Sequence, residues 1–217
     1  MRDDFLMRQI QQFAGVLSKI LSAKKANDSE QFVRQLDNLS SQFLGFDLDM
    51  LHTVSFEDTI SLFAVNENID LSRCFIAAEI LREECVSYES ENDPPDTCFE
   101  NYLKSFLLYF ESVSKLEELQ NKDTFRNIES VINKISQFQI SSGVKIKMFR
   151  YFEISQNFAA AENVLHELLE NDNSSIQSEA ESFYSRLLEK SDEELEKGNL
   201  PRDEVLEGLR TTRKIML

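Results

Sequence analysis

Turn-forming residues are scarce in this chain: five glycines and three prolines are spread over 217 residues, and tryptophan is absent. Sandwiches and barrels need many tight turns, so this scarcity excludes most of them and leaves long uninterrupted elements. Histidine occurs twice, as His52 and His166, and cysteine three times, as Cys74, Cys85 and Cys98. No two cysteines form a C-x-x-C pair, and an odd number suits buried thiols in a reducing compartment. No apolar run approaches the length of a membrane-spanning helix, and the opening Met1-Arg2-Asp3-Asp4-Phe5 reads as neither signal peptide nor anchor. A cytoplasmic protein is expected.

Cations are also in short supply: 23 Lys and Arg stand against 39 Asp and Glu, a formal charge of -16. Such a chain repels phosphate backbones and anionic membrane surfaces, so neither nucleic acid nor membrane is expected as a partner. The plain reading of the charge is a solvated acidic surface, and the sharper one is a cationic partner.

What the chain has in quantity is apolar side chains at helical spacing, 41% hydrophobic residues with 17 phenylalanines. The run Phe5, Leu6, Ile10, Phe13, Val16, Leu17, Ile20, Leu21 predicts a helix over about 3–25. Asp28 with Gln31 resembles a capping box opening a second helix through Phe32, Leu36, Leu39 and Phe43, which Gly45 ends as an αL cap. Asp47 to Leu51 suggests a single turn, and Ser55 with Asp58 another start leading to Ile60, Leu62 and Phe63, before Asn66 to Asn68 breaks the pattern. The clearest stripe is Leu71, Phe75, Ala78, Leu81, Cys85, Tyr88. A loop over 90–96, with Pro94-Pro95, ends where Asp96 can cap a helix carrying Phe99, Tyr102, Leu103, Phe106, Phe110, Val113 and Leu116. Further helices are expected over about 123–138, 144–156 and 158–170, with Gly143 between the first two. Ser174 with Gln177 opens another, through Ala180, Phe183, Tyr184, Leu187 and Leu188, stopped by Gly198. Pro201 suits the first position of a last helix, with Asp203 and Glu204 complementing its dipole. No strand is predicted.

Paired helices of similar length raise the question of repeats. The TPR unit is a helical hairpin of about 34 residues in which small side chains let the two helices approach, and each hairpin buries its apolar face by stacking on the next. Residues 78–118 fit, with Cys85 small and Tyr88 aromatic in one helix and Cys98, Tyr102 and Ser105 in the other. Residues 142–173 fit through Phe152, Ala161, Leu165 and Leu168, although Phe149 replaces a small residue. Residues 5–45 fit loosely, since Phe32 stands where alanine belongs. The fold expected is all-α: one domain over 1–217, a TPR-like right-handed array of antiparallel hairpins over about 3–45, 70–118 and 142–173, followed by C-terminal helices over about 174–213.

In Arg2-Asp3-Asp4-Phe5-Leu6-Met7-Arg8-Gln9-Ile10, in Leu44-Gly45-Phe46-Asp47, in Phe183-Tyr184-Ser185-Arg186-Leu187-Leu188, and in Gly198-Asn199-Leu200-Pro201-Arg202-Asp203-Glu204-Val205, the chain also resembles an uncharacterised family of small bacterial TPR-like proteins. The resemblance implies the helical fold and a bacterial cytoplasmic origin, and no known activity.

Chemistry is hard to find. His166-Glu167-Leu168-Leu169-Glu170 misses the zinc-protease motif because glutamate stands where the second imidazole belongs, and Asn163 replaces the glutamate of a di-iron Glu-x-x-His. The cysteines have no histidine near them in sequence and read as packing. The scattered glycines build no phosphate cradle. The adjacent carboxylates Glu83-Glu84 and Glu193-Glu194 diverge on a helix and read as solvated faces. Neither enzyme activity, cofactor nor metal is expected. What is left is the concave face of a hairpin array, to which Glu79, Arg82, Val86 and Glu89 would contribute from one hairpin and Arg150, Glu153 and Ile146 from another. Their mixed charge could read a peptide or partner helix, against the plainer alternative of an ordinary charged surface. The amphipathic N-terminal helix is expected to pack on the second helix or form a dimer, and the tail Arg210, Arg213, Lys214, Ile215, Met216, Leu217 to fray or dock on a second copy. Three functions are compatible with this pattern: a scaffold for a protein or peptide, a structural homodimer with a self-filled groove, and a small-molecule sensor or enzyme with a pocket between helices.

Overall fold

A computed structural model describes residues 2–24, 29–66, 68–89, 97–170 and 174–215. The expected caps at Asp28 and Asp96, Glu67 in the middle of the expected break, the loop over 90–96 and the tail's Met216 and Leu217 lie outside the described residues, as does the side chain of Ser174. The protein is all-α, and the chain divides into two compact units, Met1–Phe138 and Gln139–Leu217.

The first unit begins with α1 (Arg2–Ala23) and α2 (Ser29–Leu44). Leu6, Ile10, Phe13 and Leu17 of α1 recur at helical spacing and are buried. Gly45 takes φ 81°, the left-handed conformation open to a residue without Cβ, and ends α2. Asp47 then accepts the Met50 N–H at 3.2 Å to cap α3 (Leu48–Thr53). Ser55 does open a turn, its Oγ accepting the Asp58 N–H, but the turn leads into 3-10 helix over Thr59–Phe63. Next comes an antiparallel pair too short for sequence periodicity to register, β1 (Ala64–Val65) and β2 (Asn68–Ile69). The unit continues with α4 (Leu71–Glu89), α5 (Cys98–Val113) and α6 (Lys122–Ile135).

The side-chain contacts give each helix its direction. Phe13 meets Phe43 edge-on at 5.5 Å while Lys24 lies over the Phe32 ring, so α1 and α2 are antiparallel. Ser29 donates to the Ser87 carbonyl and Arg73 to the Leu44 carbonyl, which turns α4 back against α2. Ser72 to Gln9 and Lys24 to Ser87 then make α1 and α4 parallel. In the hairpin of α4 and α5, Ser112 donates to the Leu71 carbonyl at 3.1 Å, Ser105 to Ala78 at 2.8 Å, and Cys85 Sγ to Cys98 at 3.7 Å. These three contacts step by one heptad along each helix in opposite senses, and the short side chains let the backbones approach closely. Asn127 meets Glu79 and Lys134 meets Glu89, so α6 runs parallel to α4.

The apolar stripe expected on α4 is therefore only part of its surface. Cys74, Phe75, Ile76, Ala77, Ala78, Ile80 and Leu81 are all buried, because α1, α2, α5 and α6 stand around the helix. Over 74–85 the helix has no solvent-exposed side chain, so it has to bury its charges there as well.

The second unit holds α7 (Ser142–Ile154), α8 (Phe158–Glu170), α9 (Ser174–Leu188), α10 (Asp192–Lys197) and α11 (Arg202–Ile215). Gly143 lies within the first turn of α7. Phe149 packs edge-on against Phe183 at 5.1 Å and Glu153 takes Arg186 in a two-point ion pair, so α7 and α9 run parallel. Phe149 is thus accommodated against α9, away from the hairpin partner that a small residue would have served. The helix opening at Ser174 ends at Leu188, and a separate α10 starts from a capping box in which Ser191 and Glu194 bond each other's backbone. Gly198 ends α10 instead, and Pro201 sits one position before α11. Arg213 pairs with Glu181, and Gly208 lies against Tyr184 so closely that a Cβ would fall 2.4 Å from the ring.

Candidate functional site

The polar chemistry of the first unit gathers on α4, in two adjoining systems. On one side the Arg82 guanidinium donates to Glu79 at 3.0 Å, to Glu83 at 2.5 Å and to the Tyr109 hydroxyl at 3.3 Å. Asn127 of α6 donates to the other Glu79 oxygen at 2.9 Å. Two buried carboxylates share one cation, and burial pushes the Glu83 carboxyl above its usual range, Arg82 opposing. Tyr109 is fully enclosed and its phenol is pushed well above the ordinary value, chiefly by that burial.

On the other side His52 Nε2 lies 2.8 Å from Glu84, whose other contact is the Asn101 amide at 3.4 Å. His52 Nδ1 faces Asp49 at 4.0 Å. The hydrogen bond to Glu84 raises the imidazole pKa, partly offset by burial. Glu84 favours the ring as a donor at Nε2, while Asp49, exposed and 4.0 Å from Nδ1, adds a weaker electrostatic pull. Beside it Lys104, fully buried, donates to the Leu51 and His52 carbonyls at 3.1 and 3.0 Å and pairs with Glu100. It closes the C-terminal end of α3, where a cation also favours the helix dipole.

The six residues expected to line a groove are distributed unevenly. Glu79 is buried and Arg82 nearly so, both inside the network with Tyr109 and Asn127. Val86 is 38% exposed, and Glu89 beside it is half-buried and paired with Lys134 at 2.8 Å. Arg150 and Glu153 belong to the second unit, the first exposed and the second held by Arg186. Glu83 and Glu84, read from sequence as solvated, are buried: neighbouring helices cover both of the directions in which they diverge. Glu193 is exposed and Glu194 serves the α10 cap. His166 reaches Tyr184 at 3.3 Å, and that hydroxyl donates to Glu162 at 2.8 Å. All three cysteines are buried thiols.

Asn101, Lys104, Tyr109 and Asn127 escaped the sequence reading, and His52 figured there only as one of the two histidines. One signal was available: residues 74–78 are apolar on every side of the helix, so α4 must be surrounded there and the charges that follow from Glu79 on enclosed. Among the described residues no group of three His, Cys, Asp or Glu is placed to hold a metal ion, and no helix is long and apolar enough to cross a membrane. A shallow open hollow of about 430 Å³ lies along the first turns of α6, lined by Gln120, Asn121, Lys122, Phe125, Arg126 and Glu129.

Neither curated proteins nor solved structures give a match to this chain. A family description does match, over residues 1–216, and with nearly every residue included the chain belongs to that family, DUF6483, a family of unknown function.

Proposed function

We propose that this protein is a cytoplasmic scaffold of TPR-like helical hairpins in a right-handed array, which binds a protein or peptide segment. The observation that carries the reading is the common direction of α1, α4 and α6, with α2 and α5 returning antiparallel between them. Successive first helices side by side are what gives a hairpin array a continuous face. On that face Val86 stands exposed next to the Glu89–Lys134 pair, an apolar anchor bordered by charge, as suits an amphipathic segment. The net charge of -16 favours a partner segment carrying cations. Glu79 and Arg82 act behind this face by fixing α4 against α5 and α6.

The test uses the full chain and a Val86→Arg variant, both checked for unchanged helicity, as baits in the native host's lysate and in sedimentation at several concentrations. A partner retained by the wild type and lost by Val86→Arg supports the scaffold. Identical partner sets count against it. A wild-type dimer that Val86→Arg dissociates replaces the scaffold with the homodimer reading, because the face is then occupied by a second copy.

A further inference from the structure

We propose that Cys85 and Cys98 are a built thiol pair that closes to a reversible disulfide across the mouth of the α4/α5 hairpin. The hairpin register places them opposite each other, one heptad beyond Ala78–Ser105 and two beyond Leu71–Ser112. The backbones are brought close there by small side chains. Cys85 Sγ reaches the Cys98 carbonyl at 3.7 Å, so the Cys85 sulfur lies against the backbone that carries the Cys98 side chain. A disulfide asks for opposed side chains at Cα separations of roughly 4.4–6.8 Å, which facing helices approach most nearly where they touch through small residues.

The two sulfurs are not equivalent. Cys98 is the first residue of α5, where the helix N-terminus favours a thiolate. The hydrogen bond from Cys85 holds its thiol below the ordinary value, with burial opposing. Cys85 is moved up by that same bond and by its own burial, so it keeps its proton. Cys98 is the attacking sulfur and Cys85 the resolving one. With a hydroperoxide as oxidant, the Cys98 thiolate takes the distal oxygen and the O–O bond breaks. For hydrogen peroxide this leaves a sulfenic acid on Cys98 and one water, after a proton is taken up. The Cys85 sulfur then attacks the sulfenic sulfur, the S–O bond breaks, and the Cys85 proton leaves with the oxygen as a second water. Two thiols and one peroxide thus become one disulfide and two waters, and a dithiol reverses the bond by exchange. Cys74, buried among apolar side chains and pushed up mainly by burial, faces neither of them in this register and stays a thiol.

The experiment treats the folded full chain with equimolar hydrogen peroxide, blocks free thiols with iodoacetamide in denaturant, and digests with trypsin. Cys85 and Cys98 share the fragment 83–104, and Cys74 lies in the fragment 74–82. Fragment 83–104 should appear unalkylated and lighter by two hydrogens than its reduced form, and dithiothreitol should restore two alkylations, while 74–82 stays alkylated throughout. In a Cys85→Ser chain the same single equivalent of peroxide should leave Cys98 as a sulfenic acid, trapped with dimedone before alkylation, with no internal bond. The proposal is overturned if both cysteines remain alkylatable in the wild type, if Cys98 over-oxidises there while Cys85 stays free, or if the bond found involves Cys74.

Discussion

Inside Met1–Phe138 lie Glu79, Glu83, Glu84 and Lys104 among the apolar side chains, with buried Asn101, Ser105 and Ser112 beside them; inside Gln139–Leu217, among the described residues, the buried polar side chain is Thr212. Thr212 satisfies itself locally, by donating to the Gly208 carbonyl at 2.9 Å. Phe149, Phe158, Phe183, Tyr151 and Tyr184 are buried there together with aliphatic side chains such as Leu165, Leu187 and Leu195. The second unit is stabilised as most helical domains are, by apolar area and by ring-on-ring contacts worth about 0.5–1.5 kcal/mol each beyond their area. The first unit is different. Its central helix is enclosed over 74–85, and the charges there carry a desolvation cost that only complete pairing offsets. Such a core gains little stability from its ion pairs, but it tolerates few alternative registers, because a slip of one turn would strand a charge. Helix register is thus fixed by chemistry in one unit and by shape in the other.

The largest test of that difference is Lys104→Ala. The change leaves the Leu51 and His52 carbonyls at the buried end of α3 without their donor. A loss of about 3 kcal/mol is expected in urea unfolding, in the range for breaking a buried charge-assisted contact. A loss under about 1 kcal/mol would mean that water reaches α3 freely, and the contrast between the two interiors would fail.

In the second unit the corresponding weak point is steric. Alanine normally stabilises a helix over glycine by about 0.8–1 kcal/mol. Gly208→Ala should instead destabilise by about 2 kcal/mol, an overpacking cost, since the new methyl meets Tyr184 ring atoms at 2.4 to 2.6 Å. The ring has no room to swing: it is buried, and its hydroxyl is held by Glu162 at 2.8 Å. Gly15→Ala on α1 is the control, because its Cβ would meet nothing within 4 Å. It should stabilise by about 0.5–1 kcal/mol. Opposite signs for the two alanines in thermal unfolding would establish that the shape of the α9/α11 contact decides the outcome; the same sign would refute it.

Much of this was legible in the sequence and some was not. The helices around Phe13, Phe106 and Phe158, the αL stop at Gly45 and the turn from Asp47 follow from spacing and local chemistry. Small residues at Ala78, Cys85, Cys98 and Ser105 marked where two helices meet. The Ser191–Glu194 box was equally readable, yet the continuous apolar pattern through Leu188 and Leu195 concealed the break between α9 and α10. Periodicity shows that a helix has an apolar face; it does not show how many neighbours cover the rest. That is why Glu83 and Glu84 read as solvated and Lys104 was passed over: Glu84 meets His52, and Lys104 meets the Leu51 and His52 carbonyls, 32 to 53 residues away along the chain.

The smallest effect is the most specific to the first unit. His52 is about one-third exposed and bonded to a buried carboxylate, and that bond raises its pKa in the folded state. A raised folded pKa means the contribution is complete below the unfolded value of about 6.5 and is lost as pH rises through the folded value. Asp49 from α3 adds to the upward pull, and Lys104 from α5 opposes it. Comparing wild type with His52→Gln therefore isolates the pair: the wild type should be more stable by on the order of 1 kcal/mol at about pH 5.5, discounted for solvent on the imidazole side, with the difference vanishing in alkaline solution. Urea midpoints across that range measure it. A difference that stayed flat with pH would make His52 a neutral hydrogen-bond partner, and the buried charges of this unit would then hold its register without sensing protons.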